Sequence, residues 1–182
     1  MIQVYDHFLS KEDEDFIENH VTSGYFPWYL KNETVRPDNR FVSDTRFVDF
    51  PWLSHETHID GKENSSYLEI PNRIIEVLNS KFNIIYKEIR QSRLNLVFKS
   101  NDDRKSPPHC DFYDDNIDTM IYYVNDSDGN TMFYADENAN TILQEVEPKK
   151  GRIVIFSSKT LHAATRPKEN HTRIVINFNM VK

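Results

Sequence analysis

The chain has 182 residues, about 38% of them hydrophobic and 13% aromatic, a balance that suits one globular domain with its own core and excludes a disordered tract. Its 22 basic and 29 acidic residues leave a net charge of −7, which argues against a protein built to grip phosphate backbones. With no apolar run near the ~18 residues of a membrane span, no signal-peptide pattern at the N-terminus and one cysteine, Cys110, the composition points to a soluble protein of a reducing, cytoplasmic compartment.

In chain order, residues 1–5 read as a short strand. Ser10 is a helix N-cap, with Asp13 at the third helical position, an acidic first turn from Glu12 to Glu14, and Gly24 as the stop. Residues 25–68 mix aromatics with polar turns. Phe41-Val42 and Phe47-Val48 read as short strands, and Trp28 and Trp52 as core or lid residues. His55-Glu-Thr-His58 lies between Pro51 and Gly61. It lacks the His-Glu-X-X-His helical spacing of metalloproteases and reads as a solvated loop. A second helix opens at Pro71, placing Ile74, Ile75, Leu78 and Phe82 on one face; the same spacing extends through Ile85 and Ile89. From about residue 92 the texture becomes short strands: 94–98, 119–124, 131–134, 142–146, 152–156 and 173–178. Pro107-Pro108, Asn125 to Gly129, Pro148 to Gly151 and Arg166-Pro167 separate them. Regular short strands without intervening helices predict a mainly β fold, a closed or double-sheet architecture with the N-terminal helices packed on one sheet.

The chemistry concentrates at Pro107-Pro-His-Cys-Asp-Phe112. In extended backbone His109 and Asp111 share one face and Cys110 takes the other, where a buried, inert thiol is expected. His162, after the 152–156 strand, supplies a third ligand. Two histidines and one carboxylate on three octahedral vertices form the facial triad of non-haem Fe(II) oxygenases, which leaves positions open for a chelating cosubstrate and dioxygen. Arg173 stands eleven residues after His162, before Ile174-Val-Ile176. A guanidinium buried there needs an anion, and its fork fits a carboxylate. A dicarboxylate that chelates iron at one end and meets Arg173 at the other satisfies both demands.

These pieces resemble the 2-oxoglutarate/Fe(II)-dependent oxygenases, in particular the prolyl-4-hydroxylase-like branch. The matching segments are His109-Cys-Asp111, Ile121-Tyr-Tyr-Val-Asn125, Gly129-Asn-Thr-Met-Phe133, Pro148 to Phe156, Leu161-His162 and Arg173, with Val4 to Ser10 as the opening strand and cap. The resemblance implies a double-stranded β-helix (jelly-roll) core over residues 92–182. Residues 1–91 then supply an N-terminal strand, helices and a substrate lid, in one domain spanning 1–182. It implies Fe(II), 2-oxoglutarate and dioxygen as cofactors, with ascorbate as a candidate reductant. Metal ligation falls to His109, Asp111 and His162, and cosubstrate binding to Arg173, Tyr123 and Asn177. Two departures stand out: Phe98-Lys99-Ser100 replaces a tyrosine common near the cosubstrate, and Asn177 replaces a common hydroxyl residue four after the arginine.

Retention of Asp111 favours hydroxylation over halogenation, because the related halogenases exchange this carboxylate for a small residue. The expected substrate is a peptide or protein side chain, with proline foremost. Alternatives are a nucleic-acid demethylase of the AlkB type, disfavoured by the acidic charge and by the missing second arginine after Arg173, and a small-molecule hydroxylase. A jelly-roll binding module without catalysis is the non-enzymatic alternative. No membrane partner is expected, and oligomeric state leaves no trace in the sequence.

Overall fold

The computed structural model describes all residues, Met1–Lys182. Its elements in chain order are β1 (Gln3–Tyr5), α1 (Lys11–Val21), β2 (Tyr29–Lys31), β3 (Trp52–Ile59), β4 (Lys62–Glu63), α2 (Glu69–Phe82) and β5 (Glu88–Phe98). They continue with β6 (Ile117–Tyr123), β7 (Thr131–Tyr134), β8 (Ile142–Val146), β9 (Ile153–Ser157), β10 (His162–Ala164) and β11 (Thr172–Val181). The strands form a large antiparallel sheet ordered β1-β9-β6-β11-β5-β3-β2, with β4 on β3, and a small sheet ordered β10-β7-β8. Two facing antiparallel sheets are the jelly-roll core that strand spacing and resemblance led us to expect. No helix is long and apolar enough to cross a membrane.

Alternation along β11 gives the large sheet two different faces. Ile174, Ile176, Phe178 and Met180 join Leu94, Leu96, Met120, Tyr122 and Ile153 in the main core, covered by Ile17 and Val21 of α1 and Ile70, Ile74 and Leu78 of α2. The intervening residues face the small sheet, where Val175, Ile121, Tyr123, Val154 and Phe156 pack against Phe133 and Val146. Since side chains alternate with period two, Arg173, Asn177 and Asn179 follow Val175 into the space between the sheets. Pairing confirms this: Arg173 lies opposite Val97, Val175 opposite Asn95 and Tyr123, and Asn177 opposite Arg93 and Ile121.

The helices form for reasons visible in the sequence. Ser10 Oγ accepts from Asp13 N at 3.1 Å and donates to Asp13 Oδ2 at 2.7 Å, a reciprocal cap. The helix ends at Val21, before Gly24, because Thr22 caps it by bonding back to Glu18 O through both its N–H and its hydroxyl. α2 begins two residues before Pro71 and stops at Phe82, because Asn83 takes a left-handed φ of 52° and turns its N–H back to Leu78 O.

Three expectations need correction. Residues 52–59 form β3, paired along β5, so His55 and His58 are buried strand residues and the solvated-loop reading of this segment is wrong. Phe41 and Phe47 lie in turns; Phe47 makes only an isolated bridge to Lys105, and both rings are buried against Met132 and Tyr134 of the small sheet. β5 starts at Glu88, so the sheet begins before residue 92 and draws on β1 and β3 from the N-terminal half.

Candidate active site

The backbone brings the two candidate histidines together. His109 N donates to His162 O at 2.9 Å and His162 N to His109 O at 3.0 Å, an isolated antiparallel bridge that joins the Pro107–Asp111 segment to β10. Asp111 N bonds to Ser158 O at 3.0 Å, and Asn39 Nδ2 holds Pro108 O at 3.0 Å. The ligand-bearing loop is thus pinned from both sides.

Asp111 Oδ1 stands 3.6 Å from His109 Nε2 and 3.9 Å from His162 Nε2, and one ligand atom from each residue falls within 4.8 Å of the others. Two imidazoles and one carboxylate at this spacing suit a shared cation. Each ring has its other nitrogen engaged: His162 Nδ1 lies 2.9 Å from Thr160 O, and His109 Nδ1 lies 3.3 Å from Pro107 O. A carbonyl can only accept, so the proton sits on Nδ1 and each Nε2 presents a lone pair to the centre. Burial, helped by the neighbouring His162, pushes His109 down to about 4, so it is neutral at physiological pH. Burial opposes ionisation of Asp111, yet the His162 and His109 rings, Arg93 and the Asn179 bond hold it below the usual carboxylate range.

Sequence reasoning missed the two residues that hold Asp111. Its Oδ2 accepts 2.8 Å bonds from Thr119 Oγ1 and Asn179 Nδ2, and Asn179 also reaches Thr119 Oγ1 at 2.9 Å. The signal available was parity, since Asn179 is six residues from Arg173 on the same strand and therefore on the same face.

Arg173 is 4% exposed. Its Nε donates to Gly129 O at 2.7 Å and its Nη2 to Thr131 Oγ1 at 2.8 Å. Tyr123 donates to the same Thr131 oxygen at 2.7 Å, with its ring 5.8 Å from the guanidinium carbon. Gly129 is required at this point, because a Cβ there would come within 3.0 Å of Arg173 Cδ and 2.9 Å of Thr165 O. Burial lowers the Arg173 pKa, Tyr123 partly offsets this, and no carboxylate of the chain neutralises the charge. An unpaired buried cation costs several kcal/mol, and the unused Nη1 marks where an anion relieves that cost.

His109, His162, Thr131, Arg173 and Asn177 line one cavity of about 80 Å³, walled also by Trp52, Val97, Ile121 and Val175. Asn177 and Asn95 bring to it carboxamide oxygens that no donor of the chain meets. The two histidines of the candidate triad and the buried guanidinium thus line the same small space, and the donors present fit Fe(II) with a dicarboxylate. Phe98 is half exposed and contributes nothing here. Cys110 is only partly buried; its thiol donates to Lys159 O at 3.1 Å and burial pushes its pKa up. A wider cleft of about 330 Å³ along β2 and β3 includes His55. There the ring lies 2.8 Å from Pro27 O and 2.7 Å from Ser65 Oγ, so His55 is a latch between segments and forms no metal pair with His58.

Residues 95–181 match the family model described as 2OG-Fe(II) oxygenase superfamily. No curated protein matches the chain. Among solved structures, the chain is similar to a 2OG-Fe(II) oxygenase family oxidoreductase from Burkholderia pseudomallei (TM-score 0.66, 12% identity, 99% of this chain and 84% of that one). It is also similar to a prolyl hydroxylase from Trichoplax adhaerens in complex with a hypoxia inducible factor peptide (0.60, 18%, 99% and 83%). A third is the non-heme alpha ketoglutarate dependent epimerase SnoN of nogalamycin biosynthesis (0.66, 11%, 100% and 78%). At these identities the structural likeness shows the fold.

Proposed function

We propose that this chain, whose residues 95–181 match the 2OG-Fe(II) oxygenase superfamily model, is an oxygenase that hydroxylates a C–H bond of a peptide or protein side chain. The cluster of His109, Asp111 and His162, whose two histidines line one cavity with the unneutralised Arg173, carries the reading. Bound there, Fe(II) and 2-oxoglutarate supply the oxidising chemistry: substrate, dioxygen and 2-oxoglutarate give hydroxylated substrate, succinate and carbon dioxide.

The chain's own groups position the reactants. His109 and His162 offer Nε2 to the metal because Pro107 O and Thr160 O hold the Nδ1 protons. Asp111 completes the triad through Oδ1, while Thr119 and Asn179 fix its second oxygen. Arg173 would take the distal carboxylate of 2-oxoglutarate, its guanidinium held by Thr131, to which the Tyr123 hydroxyl also bonds. Asn177 turns its carboxamide toward the cosubstrate from the next same-face step beyond Val175. Val97, Ile121 and Val175 keep water from the space between. Asp111 would hold the position that the related halogenases leave to halide, which favours hydroxylation.

The peptide reading draws on the earlier resemblance and on two prolyl hydroxylases that share the fold, one of them holding a peptide. A small-molecule substrate is the second reading, favoured by the narrow cavity of about 80 Å³ and by the epimerase that shares the fold.

The test is anaerobic addition of Fe(II) and 2-oxoglutarate, which should produce a weak visible charge-transfer band, followed by succinate release in air. Neither signal appearing would sink the catalytic reading. Asp111→Ala should abolish iron retention. Arg173→Ala should raise the 2-oxoglutarate requirement by at least about 30-fold, as expected for losing one partner of a buried charge pair; equal iron loss in both variants would mean Arg173 has another task. Screening proline-rich peptides, free amino acids and methylated oligonucleotides for stimulated succinate release separates the substrate classes.

A further inference from the structure

Arg93 lies on β5, opposite Asn177, and lines the same cavity as His109 and His162. It is half-buried, with its guanidinium carbon 5.4 Å from the centre of the Trp52 ring. Among the arginines, only Arg93 and the exposed Arg36 have neither a hydrogen bond nor a carboxylate partner. Its cross-strand neighbour Glu56 is within 3.7 Å of Lys31 instead. A guanidinium supported on one face by an indole keeps its planar fork free for a carboxylate.

Arg93 also stands apart from Arg173. Val97 pairs with Arg173, and Arg93 is four residues further along β5, about 13 Å at strand rise. Asn177, opposite Arg93, is the same-face neighbour of Asn179, which bonds Asp111, whereas Arg173 lies six residues from Asn179 on the same strand. Arg93 therefore belongs to the metal end of the cavity and Arg173 to the far end. One five-carbon dicarboxylate, about 5 Å between its carboxyl carbons, that is chelated by the triad and seated on Arg173 leaves the Arg93 fork for a different anion. Between the two arginines, the unmet carboxamide oxygens of Asn95 and Asn177 wait for donors.

We propose that Arg93 forms a substrate subsite beside the triad that receives a carboxylate carried close to the carbon being oxidised, with the Asn95 carboxamide oxygen placed to accept from a substrate N–H. This rests on the oxygenase reading and narrows it. The shared chemistry is the carboxylate, which an acidic peptide side chain or a free amino acid can provide and an internal proline cannot.

The probes are N-acetyl-L-aspartate N-methylamide and its glutamate counterpart, free L-aspartate and L-glutamate, and the matching asparagine, glutamine and proline compounds. Binding is followed by ligand-observed NMR with Zn(II) in place of iron and 2-oxoglutarate present, and turnover by stimulated succinate release. At least one carboxylate probe should bind and stimulate release at least tenfold more than its amide or proline counterpart. Arg93→Gln should erase that preference in both readouts, and Arg93→Lys should keep part of it. A response to the capped compounds alone identifies a peptide, and one to the free acids alone an amino acid, as the source. Equal responses to carboxylate and amide, or no response to any carboxylate, overturn the proposal. A loss in Arg93→Gln explained wholly by a raised KM for 2-oxoglutarate also overturns it, assigning Arg93 to the cosubstrate. The anaerobic charge-transfer band of the unaltered protein keeps the two readings distinct: no band sinks the oxygenase reading, whereas a band without carboxylate preference sinks only the role of Arg93.

Discussion

The Asn179 carboxamide bonds at once to Asp111 Oδ2 and Thr119 Oγ1, which leaves the carboxylate one orientation with Oδ1 toward both histidines. Groups that orient a metal ligand typically contribute 10–100-fold to metal affinity. Asn179→Ala should therefore weaken Fe(II) retention by roughly that factor in a chelator competition, with the far-ultraviolet dichroism unchanged; unaltered retention would reduce Asn179 to core filling. Thr119→Val should act in the same direction. The candidate ligands were legible as a set, because His-X-Asp alone is common but His109, Asp111, His162 and Arg173 follow one another in order at family-like spacing. Asn179 and Thr119 were not, because amides and hydroxyls occur on most strands and only the fold brings these two to Asp111.

β3 illustrates what an isolated segment conceals. His55-Glu-Thr-His58 lacks the apolar alternation of a half-buried strand, and Pro51 and Gly61 bracket it like a loop. It is a strand because β5 offers a long partner edge, and its burial is tolerable because both His55 nitrogens are hydrogen-bonded, Nδ1 donating to Pro27 O and Nε2 accepting from Ser65 Oγ. His58 is less well served, with Thr57 Oγ1 at 3.3 Å. Burial lowers its pKa below 6.5, against the weaker pull of Glu63. A folded-state pKa below the unfolded one means that the unfolded chain binds the extra proton first, so stability is full above about pH 6.5 and falls as pH drops toward the folded value. Urea midpoints between pH 8 and 5 should fall less steeply for His58→Gln than for the unaltered protein. Parallel curves would show that His58 titrates alike in both states. By contrast, α1 was readable almost to the residue, because its cap is a local bond between Ser10 and Asp13.

Over the whole molecule, the matched segment 95–181 carries every proposed ligand, yet its large sheet depends on the other half. β1 borders β9, β3 borders β5, and α1 and α2 cover the main core. Lys150 reaches Asp15 and Glu18 of α1 at 2.5 Å, tying that helix to the turn before β9. Residues 92–182 expressed alone should therefore fail to give a cooperative thermal transition, whereas 1–182 should unfold in a single step by dichroism and intrinsic fluorescence alike. A folded 92–182 fragment would show that the N-terminal half is an accessory. The strict alternation of β11 has a further consequence for how this protein can change over time. One inserted or deleted residue within the strand would turn Arg173, Asn177 and Asn179 toward the helices and deliver Ile174, Ile176 and Phe178 to the metal. Length variation should thus be confined to the connecting loops, and β11 can drift only by substitution, with reactivity and folding inherited together.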